Sequence, residues 1–216
     1  MTRIKICGLT READVRLAIA EGAHAVGFVH VPASKRFVDG DRLAALCRAA
    51  EPMTTRVAVV ADMPLDEASA LAETCALDAL QLHGSEGTSY LAALRGRLRP
   101  GVSLYKALKV EGPAAIAEAH AFAPLVDALV LDSGGGTGQT FDWQLVEGLA
   151  TETALLVAGG LHPANVGEVI RRLAPYGVDV SSGVEAEVGC KDPERLRAFF
   201  AEVRAADAFA PRRARV

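Results

Sequence analysis

The chain has 216 residues, 50% of them hydrophobic, and a formal net charge of −4 at pH 7. That length favours one or two domains, and so much apolar material supplies a sizeable core and excludes a disordered chain. Charges of both signs are interspersed with no basic face, which argues against nucleic acid as the main partner; a small anionic ligand needs only a local positive patch.

Short apolar runs alternate with longer amphipathic stretches along the chain. The N-terminal Met-Thr-Arg-Ile-Lys-Ile-Cys passes straight into the first strand-like run, residues 4–7, with no apolar stretch after a basic start, so no signal peptide is expected. Thr10 offers an N-cap to a helix over 12–21, and Gly22 stands where a left-handed C-terminal glycine would end it. Further strand-like runs fall at 25–29, 56–60, 78–82, 103–107, 127–131, 154–157 and 178–181. Pro64 opens a second helix; others cover 86–98, 163–173 and 192–204. No window approaches the ~18 uninterrupted apolar residues of a membrane helix. Cys7, Cys47, Cys75 and Cys190 show neither a Cys-x-x-Cys spacing nor partnered histidines, so neither a disulfide framework nor a zinc site is expected, and the cytoplasm is the default compartment.

Strands alternating with helices of this length imply parallel β-α-β units. Eight of them in so short a chain predict a single α/β domain, a closed (β/α)8 TIM barrel over residues 1–205 followed by a frayed tail at 206–216. A doubly wound open sheet is the competitor, but it places its glycine-rich phosphate loop after the first strand, and here the glycine-rich loops come late.

Side chains alternate along a strand, and in a closed barrel one set points inward. In Ile4-Lys5-Ile6-Cys7 the isoleucines face the helices, and Lys5 and Cys7 face the interior. Gln81 and His83 follow the same rule against Leu80 and Leu82, Asp132 against Leu129 and Leu131, and Asp179 against Val178 and Val180. Four strands thus aim polar groups at one mouth. Each residue alone has an ordinary explanation: Cys7 as a small buried hydrophobe, His83 as a structural histidine, Asp132 as a turn cap, Asp179 as a partner of a backbone amide. Two carboxylates on one rim are costly to bury without a partner, and their convergence points to a site.

Two late loops suit a phosphate. Gly159 and Gly160 follow the seventh strand and Ser182 and Gly183 follow the eighth, the usual phosphate position of such barrels. Paired glycines also form plain turns. The glycine-rich stretch 134–138 lacks the Gly-Lys-Ser/Thr of a nucleotide loop and reads as a flap anchored by Phe141 and Trp143, with packing the favoured role of Trp143.

Taken in order, Lys-Ile-Cys-Gly-Leu-Thr (5–10), Gln-Leu-His-Gly (81–84), Asp132 with Gly-Gly-Thr-Gly (135–138) and Thr-Phe-Asp-Trp (140–143), Ala-Gly-Gly-Leu (158–161), Asn165-Val166 and Asp-Val-Ser-Ser-Gly-Val-Glu (179–185) resemble the phosphoribosylanthranilate isomerase family from residue 5 to about residue 192. The resemblance implies an Amadori rearrangement in tryptophan biosynthesis, in which N-(5-phosphoribosyl)anthranilate becomes 1-(2-carboxyphenylamino)-1-deoxyribulose 5-phosphate without metal or organic cofactor. It implies Cys7 as general base, Asp132 as general acid and Arg36 as the contact of the substrate carboxylate. Gln81, His83 and Asp179 are expected to bind the remaining substrate, with Gly159, Gly160, Ser182 and Gly183 on its phosphate. Lys5, on the same strand face as Cys7, is expected to lower the thiol pKa. A small-molecule substrate is the only partner expected, with no membrane; a monomer is expected and a homodimer left open. The family's Ser-Pro-Arg loop reads Ser34-Lys35-Arg36 here, so the arginine is kept while a proline gives way to a lysine. Two other readings are another sugar-phosphate barrel enzyme and a non-catalytic metabolite-binding barrel. The first covers an isomerase of histidine biosynthesis, whose barrel would carry paired aspartates and two phosphate sites, or an epimerase; the second would have lost Cys7 or Asp132.

Overall fold

The structure, a computed structural model, describes residues 1–134, 140–149 and 151–209. Eight parallel strands close into a barrel in the order of the chain: β1 (Arg3–Ile6), β2 (Ala25–Val29), β3 (Thr55–Val60), β4 (Ala79–Leu82), β5 (Ser103–Lys109), β6 (Ala128–Asp132), β7 (Ala154–Val157) and β8 (Gly177–Val180). The helices outside it are α1 (Glu12–Glu21), α2 (Gly40–Ala49), α3 (Leu65–Thr74), α4 (Thr88–Arg95), α5 (Ala114–Phe122), α6 (Pro163–Leu173) and α7 (Pro193–Phe209). Between β6 and β7 the described residues form only a short 3-10 turn, Trp143–Val146, with Phe141 and Trp143 buried in the shell beneath the helices. A small antiparallel hairpin, β9 (Glu185–Glu187) with β10 (Cys190–Lys191), sits on the rim after β8. No described helix is long and apolar enough to cross a membrane.

The period-2 pattern divides the core into two layers. Ile4, Ile6, Leu80, Leu82, Leu129, Leu131, Val178 and Val180 point outward into the shell under the helices. The inner layer around β5–β7 is built from Ala107, Ala128, Val130, Leu156 and Ala158, with Tyr105 and Ala154 against them. Each large aliphatic side chain placed in the shell contributes about 1.5–3 kcal/mol of burial. The small inner residues give up some of that contribution and leave room toward the mouth.

Helix ends follow local chemistry, with two corrections. Gly22 ends α1 in the left-handed region, φ 105°, as its lack of Cβ allows. Thr10, however, does not cap α1: Arg11 holds that position without a side-chain cap, and the Thr10 hydroxyl instead donates to Gly189 O at 2.7 Å. Contact with the rim hairpin wins over capping. The boundary at 205 also falls inside α7, where Ala206 is buried and Asp207 binds back to the N-terminus. Thr2 N and Thr2 Oγ1 donate to the two Asp207 carboxylate oxygens at 2.8 and 2.6 Å.

Asp207→Ala removes both bonds of that clamp. Net worth near 1 kcal/mol each predicts a loss of about 1–2 kcal/mol, and so a melting midpoint lower by roughly 2–8 °C. Calorimetry of the two proteins checks it, and an unchanged midpoint would make this end of α7 dispensable.

Candidate active site

The barrel mouth at the C-terminal ends of the strands opens into a cavity of about 690 Å³. Cys7 enters just past the end of β1, Gln81 from β4 and His83 just past it, Asp132 from β6, Asp179 from β8, and Arg36 from the loop after β2. Gly159, Gly160 and Ser182 line the same cavity. Of the ten residues expected to act on or bind the substrate, Gly183 alone does not line the cavity. Of the expected flap, residues 135–138 lie outside the described residues.

At the floor, closure of the barrel sets Lys5 beside Asp179 in the β1–β8 register, and their side chains pair at 2.7 Å with both groups buried. Gly27 on β2 makes this possible, because a Cβ there would lie 2.9 Å from Cys7 Sγ and 3.0 Å from Lys5 Nζ. Burial alone would lower Lys5, but Asp179 and the neighbouring Cys7 hold its ammonium above the ordinary range. Burial pushes the Cys7 thiol up; Lys5 opposes that rise and Asp179 adds to it, so the thiol ends above its ordinary value. The expectation that Lys5 yields a low-pKa thiol is therefore corrected. Its charge acts in the expected direction but is already engaged by Asp179, and desolvation wins.

Two buried acceptors at this cavity have no hydrogen-bond partner among the described residues, Asp179 Oδ1 and Gln81 Oε1. The Gln81 amide nitrogen lies 3.4 Å from His83 Nδ1, which turns the amide about its other end. Buried acceptors without donors are expensive, so they mark places where a ligand's hydroxyl or amine protons belong. Asp132 serves its own turn as well as the cavity: its Oδ1 accepts from Gly134 N at 2.7 Å.

Glycines weld the last three rim loops together. Gly159 has φ 79°, and a Cβ on it would meet Ser133 N at 2.5 Å; a Cβ on Gly183 would fall 1.9 Å from Leu161 O. Behind them Asn165 ties the turn to the start of α6, accepting from His162 N at 2.8 Å and donating to Gly160 O at 3.0 Å. This is a backbone-walled corner at a helix start, suited to an anion.

Two charged clusters escaped the sequence reading. Arg36 donates through Nε and Nη2 to the two oxygens of Glu185, at 2.8 and 2.6 Å, and Lys191 Nζ reaches the same carboxylate at 2.9 Å. Burial would raise Glu185, but the Arg36 hydrogen bonds and the Lys191 charge hold it below the usual carboxylate range. On the other side of the mouth Lys106 pairs with Glu86 at 2.8 Å, and that carboxylate also accepts from Asp62 N and Gly84 N, bracing the loops after β3 and β4 beneath His83. Glu185 closes one of the motifs quoted above, but nothing local in the sequence pairs residues 149 positions apart. For Lys106, the only signal was a charge at an outward strand position, where apolar residues are the rule.

The model of a family described as N-(5'-phosphoribosyl)anthranilate (PRA) isomerase matches residues 4–202. The N-(5'-phosphoribosyl)anthranilate isomerase of Geobacter sp. (strain M21) is 40% identical over 207 residues, spanning 94% of this chain and 98% of the relative. The crystal structure of phosphoribosyl anthranilate isomerase from Thermotoga maritima superposes with a TM-score of 0.87 at 32% identity, covering 95% of this chain and 100% of that one. A crystal structure of such an isomerase in complex with reduced 1-(o-carboxyphenylamino)-1-deoxyribulose 5-phosphate superposes at 0.84 with 31% identity, covering 95% and 100%.

The loop contacts predict a contrast between two alanine substitutions. Gly183→Ala forces backbone apart and should cost about 1–3 kcal/mol. At Gly40 an added methyl meets nothing within 4 Å, so Gly40→Ala should leave the midpoint in place or raise it. Thermal melts of the two variants check this, and equal midpoints would mean that the loops after β7 and β8 are not in contact.

Proposed function

The chain belongs to the phosphoribosylanthranilate isomerase family, and on that premise we propose which of its groups carry the reaction. It is an isomerase of tryptophan biosynthesis, converting N-(5-phosphoribosyl)anthranilate to 1-(2-carboxyphenylamino)-1-deoxyribulose 5-phosphate. The observation that carries the assignment of roles is that a thiol just past β1 and a carboxyl group at the end of β6 line one cavity together with the glycine loops.

The phosphate rests in the corner formed by Gly159, Gly160 and Ser182, with Gly183 holding the two loops together. Arg36 receives the carboxylate of the aromatic ring through a bidentate, charge-assisted contact. Asp132 delivers its proton to the furanose oxygen; the C–O bond opens and leaves a protonated imine at C1′. That cation acidifies C2′, and the Cys7 thiolate removes the C2′ hydrogen, giving the enolamine that tautomerises to the ketone. Asp179 Oδ1 and Gln81 Oε1 accept from the polar hydrogens of the pentose, with His83 steering the Gln81 amide. These acceptors favour a polyhydroxylated ligand over an apolar one of the same size.

The reading extends to a monomer working in the cytoplasm. A catalytic thiol needs a reducing compartment, and the exposed large apolar side chains among the described residues are five: Met1, Phe37, Met53, Tyr176 and Val188.

Cys7→Ala should lower kcat by about 10²–10⁴-fold with little change in KM, read from the loss of fluorescence as the anthranilate adduct is consumed; a near-normal kcat would remove Cys7 from the chemistry.

The pH dependence follows from counting protons. The active form carries one proton on the acid–base pair, on Asp132 and not on Cys7. Between the two titrations that count is constant, so kcat/KM is flat whichever partner holds the proton most of the time. The plateau ends when the last proton leaves. Because burial pushes the thiol up, the alkaline fall should begin above the ~8.5 of an ordinary cysteine. Lys5→Met removes the cation opposing that rise, so the plateau should drop and its alkaline edge move to higher pH. An edge at or below the ordinary thiol value, unmoved in Lys5→Met, would contradict the roles given to both residues.

A further inference from the structure

We propose that Glu185 is a positioning residue for the isomerisation, gripping Arg36 by one edge of its guanidinium so that the other edge faces the substrate carboxylate. The proposal rests on the family reading of the substrate and on Arg36 as its carboxylate contact.

A guanidinium has five N–H donors in a plane. Glu185 takes the Nε edge, one bond from Nε and one from Nη2. The end edge, with both Nη1 protons and the second Nη2 proton, has no hydrogen-bond partner among the described residues, and Arg36 lines the cavity. That end edge is itself a fork matching a second carboxylate. Had Glu185 met the arginine end-on, the fork would be consumed.

The grip is itself anchored. Lys191 Nζ donates to Glu185 Oε1 and to Ser181 O at 3.0 Å, and Lys191 N donates to Asp14 Oδ2 at 3.1 Å. Glu185 and Lys191 are 6% and 2% exposed, so neither has room to swing. The arginine stem crosses Gly8, where a Cβ would lie 2.5 Å from Arg36 Cδ. Two cations flank one anion, which leaves the cluster one net positive charge for an incoming carboxylate. A flexible arginine would have to be ordered at each binding event; here the ordering is built in, and binding energy is not spent on it.

The test uses two substrates, formed by condensing ribose 5-phosphate with anthranilate or with aniline, which differ only in the carboxylate. Kinetics of the intact enzyme, Glu185→Gln, Arg36→Met and the double variant are measured on both. Glu185→Gln should lower kcat/KM for the anthranilate adduct about tenfold, mainly through KM, cost the aniline adduct far less, and add nothing in the Arg36→Met background. An equal loss on both substrates, or no loss on the anthranilate adduct, overturns the proposal. Turnover of neither adduct by the unaltered enzyme would instead overturn the family reading, and equal turnover of both would remove Arg36 as the carboxylate contact and this proposal with it. Should Glu185→Gln fail to fold, Glu185→Asp keeps the charge but withdraws it by one methylene, and the same contrast between substrates decides.

Discussion

The buried pair of Lys5 and Asp179 is the constraint on which the mouth of the barrel depends. The two residues stand opposite each other in the β1–β8 register, where the first and last strands meet and the barrel closes. Neither charge could be buried alone, because desolvating an unpaired ion costs several kcal/mol even after relaxation. Pairing offsets that cost, and breaking either partner would leave an ion in the barrel interior. The pair also fixes what surrounds it: a glycine must stand at Gly27, and Cys7, two residues on from Lys5, is held in the field of an ammonium and a carboxylate together.

The same period-2 rule that builds the shell builds the site. Outward positions are filled by Leu, Ile and Val, which fasten the strands to the helices. Inward positions around β5–β7 are mostly alanine, and the volume they omit lets the cavity reach down to the Lys5–Asp179 floor. Stability therefore comes from the face of each strand that never touches substrate. The inner face gives up hydrophobic burial and carries polar groups whose cost is met by pairing or left open for a ligand.

That division explains what could be read from the chain alone. Strand and helix periodicity marked all eight strands to within a residue or two at most ends, and alternation correctly put Cys7, Gln81, His83, Asp132 and Asp179 on the inside. These are local signals carried by neighbouring residues. What stayed hidden depends on distance through the fold. Glu185 and Lys191 around Arg36, and Glu86 with Lys106, pair charges brought together only by barrel closure and loop packing. Thr10 was misread because a hydroxyl at a helix start satisfies a cap or a distant carbonyl equally well in sequence. The alanine-rich α5 had too little polar contrast to show a face. The direction of the Cys7 shift failed for the same reason: a neighbouring lysine is visible in sequence, but its prior engagement by Asp179 is not.

A thiol pushed upward is at first sight a poor base, yet the role proposed for Cys7 belongs to a reaction that needs an acid and a base in one turn. In the proposed mechanism Cys7 must lose its proton while Asp132 keeps one, so turnover depends on how far substrate binding populates that arrangement of the pair. A buried thiolate is also more reactive once it forms, because little solvent must be stripped from it. The buried acceptors Asp179 Oδ1 and Gln81 Oε1, which find no partner among the described residues, fit the same proposal. A pentose hydroxyl meeting either one would supply the donor that a buried acceptor needs, and leaving such a group unsatisfied costs about 1–3 kcal/mol. The proposed site therefore favours a ligand whose hydroxyls match the acceptors in its wall.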